Sequence, residues 1–121
     1  MRLFALRGAN SVTANEAAAI LSATDELMRE LMERNELDPE AMVSCIFTLT
    51  DDLNAEFPAV AARNLGLSRV PLLCSREVPV PGSLPRVIRV LIHYYAPEDH
   101  EPYHVYLREA RVLRADLESA Q

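Results

Sequence analysis

The stretch 86-RVIRVLIHYY-95 reads as a β-strand, filled with β-branched and aromatic residues and entered through the turn-rich 79-PVPGSLP-85. Side chains alternate along a strand, so Val87, Arg89, Leu91 and His93 share one face and Ile88, Val90, Ile92 and Tyr94 the other. Both faces are largely apolar, which predicts a strand covered on both sides. Arg89 lies in its apolar middle. A buried guanidinium without a partner costs several kcal/mol, so a counter-charge is expected beside it. A structural ion pair is the ordinary solution at such a position, and a bound anionic ligand is the functional one.

Length and composition narrow the classes. A chain of 121 residues suits one domain with one core. Gly is scarce at 3 and Pro frequent at 8, which favours firm turns over low complexity. No apolar run approaches the ~20 residues that span a bilayer. The opening MRLFALRGAN has arginines on both sides of a short apolar run, too short for a signal peptide. Two cysteines, Cys45 and Cys74, make no disulfide framework, and a cytoplasmic location is expected. The net charge of −6 argues against a nucleic-acid or anionic-membrane footprint. All 12 basic residues are arginine. Every side-chain cation is therefore a planar fork suited to carboxylates, and Schiff-base chemistry on a lysine is excluded.

Working outward from 86–95, the order β-α-β-α-β-β-β emerges. Residues 3-LFALR-7 form a strand ending at Gly8, and 13-TANE-16 has the capping-box pattern that opens a helix running to about Asn35. Ile20, Leu27 and Leu31, with Leu21, Met28 and Met32 beside them, give that helix one wide apolar stripe, read as core packing. Asp38-Pro39 starts a brief turn, and 42-MVSCIFTLT-50 is a strand. A short helix follows from about Pro58 to Leu65, closed by Gly66. The strands 69-RVPLLCS-75, 86–95 and 104-HVYLREARVLR-114 come next, and a mobile tail is expected from about 115. The predicted fold class is α+β, a mixed sheet packed against one long helix in a single domain.

Several residues invite chemistry. Arg7 ends the otherwise apolar face of Leu3 and Ala5, and Gly8 beside it permits close approach to the backbone. Glu77 and Cys74 lie where the 69–75 strand ends and a bend can aim both inward; the bland alternatives are a surface charge and a small buried hydrophobe. His100 and His104 are separated by Pro102, which breaks any helix that would align them, so no metal site is expected. There is no Gly-rich phosphate loop and no Ser-His-Asp arrangement.

The segments 6-LRGANSV-12, 57-FPAVAAR-63, 70-VPLLCSREV-78, 88-IRV-90, 104-HVYL-107 and 113-LRADL-117 resemble, in order and over essentially the whole chain, the monofunctional AroH-class chorismate mutases. The resemblance implies a homotrimer with a barrel-like (pseudo-α/β-barrel) core and three active sites in clefts between subunits. It implies the Claisen rearrangement of chorismate to prephenate on the route to Phe and Tyr. By the same resemblance, Arg89 would hydrogen-bond the breaking ether oxygen and a carboxylate, and Arg7 and Tyr106 would hold the enolpyruvyl carboxylate. Glu77 and the Cys74 region would bind the ring hydroxyl. Phe57, Ala59 and Arg63 would line the other wall from the adjoining subunit, with Leu73, and Leu113 and Arg114 would help close the mouth. No cofactor is implied.

Two positions depart from the family pattern. Val60 stands where the family often has lysine, and Leu73 where a threonine occurs, which predicts effects on affinity. A pericyclic reaction needs a compact substrate conformer and stabilisation of negative charge growing on the ether oxygen, tasks that positioning and preorganised donors perform. Two other readings of an arginine in a cleft stay open here: a Rid-type imine or enamine deaminase on a similar trimer, and a non-catalytic trimer that senses a small carboxylate.

Overall fold

The computed structural model describes residues 1–114 of the chain. Strand β1 (Arg2–Ser11) leads into helix α1 (Ala17–Asn35), and a 3₁₀ turn (Pro39–Ala41) precedes strand β2 (Met42–Leu49). Helix α2 (Ala59–Asn64) is followed by β3 (Leu72–Arg76), β4 (Val87–Ala96), β5 (Val105–Tyr106) and a second 3₁₀ turn (Arg108–Ala110). The sheet order is β3-β2-β4-β1-β5. The 86–95 stretch is thus the central strand, antiparallel to both β1 and β2. β3 runs parallel to β2 and β5 parallel to β1. The parallel β2–β3 pair is joined through α2, as parallel neighbours require a crossover.

The core lies on one side of this mixed sheet. Phe4 and Leu6 of β1, Cys45 and Phe47 of β2, and Ile88, Val90, Ile92 and Tyr94 of β4 meet Ile20, Leu27, Met28 and Leu31 of α1. These are the alternate strand positions and the helical stripe that periodicity demands. Gly8 belongs to this interface. A Cβ built there would fall 2.9 Å from Leu31 Cδ1 and 3.1 Å from Leu27 Cδ1. What approaches the Gly8 backbone is therefore the helix.

The opposite face of β4 departs from expectation. In the single chain it is open: Arg89 and Tyr95 are exposed, and Leu91 and His93 are half-buried. Leu3 of β1 and Leu73 of β3 are exposed on the same side. Alternation reports that a face is apolar; it does not report that the same chain covers it.

Three local expectations are also corrected. β1 continues through Gly8 to Ser11, because all four added residues pair with β4 from Val90 to Val87. The capping box at 13–16 does not form. α1 opens after an extended Glu16 with no side-chain cap, and Asn15 accepts from the backbone N–H groups of Asn54 and Ala55 instead. The strand expected over 104–114 shrinks to two residues. On one side of it Asn35 occupies the Tyr103 backbone, donating to its carbonyl at 2.9 Å and accepting from its N–H at 2.7 Å. On the other side Arg108 turns the chain with φ of +50°, and residues 111–114 are helical. The Asp38 cap holds as read, its side chain accepting from Glu40 N–H at 3.0 Å. The tail from 115 lies outside the described residues. No helix among the described residues is long and apolar enough to cross a membrane.

Candidate active site

Strand register assembles the central part of the site. One row across the open face runs Ser75, Thr48, Arg89, Ala9, Tyr106, each opposite the next on a neighbouring strand. Arg7 lies one row away, opposite Leu91. The residues come from all five strands and bring together β1 and β5, the first and last strands.

Arg89 has its counter-charge. Its Nε lies 3.1 Å from Glu77 Oε2, and the Thr48 hydroxyl donates to the same oxygen at 2.7 Å. The Glu77 N–H donates to Leu49 O at 2.9 Å, so the carboxylate is placed by its backbone as well as by its partners. Its side chain is only 15% exposed whereas that of Arg89 is 46% exposed. The guanidinium is therefore not buried in an apolar middle; it leans on a sheltered carboxylate while its own side chain stays nearly half exposed. An arginine placed by a carboxylate and still accessible can receive an anionic or ether oxygen.

Tyr106 is surrounded by cations. Burial pushes its phenol pKa up, against the pull of Arg7, Arg89 and Arg114. The hydroxyl is protonated at neutral pH and available as a donor. His104 also belongs here, because its Nδ1 accepts from the Arg7 N–H at 3.0 Å. Burial holds the imidazole below its ordinary pKa, with Arg7 and then Arg114 adding to the effect against that hydrogen bond. Leu113 and Tyr106 pack on a small cluster of Ala9, Val87 and Ala110, which brings the start of the C-terminal segment to the tyrosine.

The remaining expected residues lie away from Arg7, Arg89 and Tyr106, some of them toward the Ser75 end of the row. Phe57, 67% exposed, lines a cleft of about 390 Å³ with Leu53, Glu56, Cys74, Ser75 and Arg76. A second cleft of about 220 Å³ is walled by Glu77, Thr50, Asp52, Val80 and Leu84. Arg7, Arg89 and Tyr106 line neither. Arg63 is exposed on α2, and Leu73 is exposed on the open face opposite Ile46. Cys74 is half-buried against the core, where it helps raise the pKa of Cys45 to about 12, chiefly an effect of that thiol's burial. Ala59 is 4% exposed and packed in the core, because α2 turns Ala59, Ala61 and Ala62 inward.

Thr48 and His104 were not anticipated at the site. Thr48 carries a readable signal, since alternation from the apolar Cys45 and Phe47 puts it on the face opposite the core. His104 carries none, because its role depends on a neighbour 97 residues away.

A sequence profile described as chorismate mutase type I matches residues 3–117. The chain belongs to that family. It is 54% identical over 119 residues to the chorismate mutase AroH of Thermus thermophilus, covering 96% of this chain and 97% of that one. Against chorismate mutase AroH of Bacillus subtilis the identity is 38% over 120 residues, covering 97% and 94%. The fold is similar to that of a solved chorismate mutase from Clostridium thermocellum, with a TM-score of 0.87 at 44% identity, covering 90% of this chain and 98% of that one. As a type I chorismate mutase the chain is an isomerase, and Arg89 and Tyr106 of the row, with Arg7 and Glu77 beside it, are its candidate catalytic group.

Proposed function

We propose that the chain rearranges chorismate to prephenate on the cytoplasmic route to Phe and Tyr, in clefts formed between subunits of a homotrimer with a barrel-like core. The observation that carries this reading is the row itself: Arg89 pinned to Glu77, with Arg7 and Arg114 acting on the same tyrosine. Three arginines and a phenol suit a substrate with two carboxylates. The cleft of Phe57, which Arg7, Arg89 and Tyr106 do not line, and the open sheet face bearing Leu3, Leu73 and Tyr95 support a site completed by a neighbouring copy.

In this mechanism Arg7 and Tyr106 hold the enolpyruvyl carboxylate and select the chair-like conformer, which is a positioning effect. Arg89 donates to the ether oxygen as the C–O bond lengthens, where a fixed donor stabilises growing negative charge without reorganising. Glu77, held by Thr48, orients Arg89 and accepts from the ring hydroxyl. The Cys74 region adds a wall beside it, and Phe57 and Arg63 of the neighbouring copy supply the opposite one. Leu113 and Arg114 narrow the mouth. The bond shift is concerted, with no covalent intermediate and no cofactor, because electrons move within the substrate.

The test follows chorismate absorbance with purified protein beside an Arg89→Ala variant. Turnover by the wild type that falls by about two to three decades in a folded variant supports the reading. A folded wild-type protein that leaves chorismate untouched overturns it. Size in solution tests the assembly, and a stable monomer with full activity removes the shared cleft.

A further inference from the structure

The C-terminal segment reaches the site through a turn that an ordinary side chain does not favour. Arg108 has φ of +50°, the left-handed region, where a bulky residue persists only if its surroundings hold it. The restraint is visible. Arg108 Nε donates to Glu26 Oε1 at 3.0 Å, and its Nη2 donates to Glu26 Oε2 at 2.9 Å. This is a two-point grip from α1 on the turn.

Glu26 is held in its turn by Asn10 of β1. The fully buried Asn10 donates through Nδ2 to Glu26 Oε1 and to Ala23 O, both at 3.0 Å. Two acceptors on one nitrogen fix which way that amide faces, since a flip would set oxygen against oxygen. Arg108 first, and Asn10 after it, keep the Glu26 carboxyl below its usual pKa despite some burial. Beyond the turn, Glu109 N–H donates to Ser11 Oγ at 3.2 Å, and Ala110 is buried against Ala9. Leu113 packs on that same cluster beside Tyr106.

We propose that Glu26, seated on Asn10, is a positioning residue: by gripping Arg108 it fixes the left-handed turn that delivers Leu113 and Arg114 to the mouth of the site. The inference rests on the reading of this row as the chorismate site. Glu26 does not meet the substrate; it acts through Arg108, some eighty residues along the chain. Its loss loosens the segment that narrows the mouth while leaving the Arg89–Glu77 pair intact, so binding suffers and the chemical step does not.

The experiment compares steady-state kinetics on chorismate for the wild type, Glu26→Ala, Arg108→Ala and the double variant, with Arg29→Ala as control. Arg29 pairs with Asp25, one residue before Glu26, on the exposed side of the same helix. Each single variant is expected to raise KM between about threefold and tenfold with kcat within about twofold, as for lost uniform binding. The double variant should be no worse than either single one, because both remove the same contact. The control should match the wild type. Hydrogen exchange at the amides of 109–114 should quicken in Glu26→Ala and not in the control. Wild-type turnover with KM unchanged in Glu26→Ala overturns this inference alone, as do additive effects in the double variant. No turnover by folded wild-type protein removes the chorismate reading and this inference with it.

Discussion

Replacing Gly8 by alanine tests how closely the core and the site are tied together. Gly8 has no left-handed backbone, so alanine is conformationally acceptable and even stabilises slightly through the unfolded chain. The obstacle is space. The new methyl group would meet Leu31 Cδ1 at 2.9 Å, Leu27 Cδ1 at 3.1 Å and the Val105 carbonyl oxygen at 3.1 Å. Leu27 and Leu31 are fully buried, so neither swings away without disturbing Ile92, Phe4 or their neighbours in the same core. Overpacking of this kind costs about 1–3 kcal/mol, and the unfolded-state gain offsets about half a kcal/mol of it. A net loss of about 1–2 kcal/mol remains. With a urea slope of about 1–3 kcal/mol per molar, the unfolding midpoint should fall by about 1 M when protein concentration is held fixed. β5 has only two residues and is the softer side of the contact. It should give way, shifting Tyr106 and raising KM. A midpoint equal to or above that of the wild type would refute the packing argument. A lowered midpoint with unchanged KM would show that the helix yields instead of β5.

Three further outcomes are expected. Thr48→Val leaves Glu77 without its hydroxyl donor, and losing a hydrogen bond to a charged group should cost about 1.5–3 kcal/mol in urea unfolding and lower kcat/KM; unchanged kinetics would remove Thr48 and Glu77 as orienters of Arg89. His104 takes up its proton at lower pH in the folded protein than its ordinary 6.5, so the unfolded chain binds more protons in that window. Its contribution to stability is present above about pH 6.5 and is lost as pH falls through the folded pKa; His104→Gln should flatten the pH dependence of the urea midpoint there, and an unaltered slope would sink the assignment. Cys45, with its pKa near 12 and no exposure, should resist iodoacetamide at about pH 8 until the protein is unfolded, and mass spectrometry showing prompt native labelling at Cys45 would contradict its burial.

Much of the scaffold was legible because it follows from period and capping. The stripe of Ile20, Leu27 and Leu31 sits against the sheet, and the Asp38-Pro39 turn is where its residues ask for it. Arg89 with Glu77 was legible as a charge needing a partner. The failures share a cause. Gly8, Asn10 and Ser11 have turn-like composition, yet distant pairing with β4 and contacts to α1 hold them in a strand. Thr13 and Glu16 spell a cap that local energetics favours, but Asn15 ties the entry to residues 54 and 55 instead. The 104–114 strand is cut short by Asn35 and Arg108, whose partners are far off in sequence. The coverage of the open face is not written in the alternation of one strand at all.

β5 is a two-residue strand, yet it covers the edge of β1, and the Arg7 N–H waits for His104, 97 residues later. During synthesis β1 is therefore made long before its partner. Throughout that interval it offers an unpaired row of backbone donors and acceptors to any neighbouring nascent chain. Arg7 and Gly8 on that edge are thus made well before the residues that finish it. Chains emerging side by side on one message would face their greatest risk of mispairing at this edge, and the closing of β5 both ends that risk and completes the candidate row.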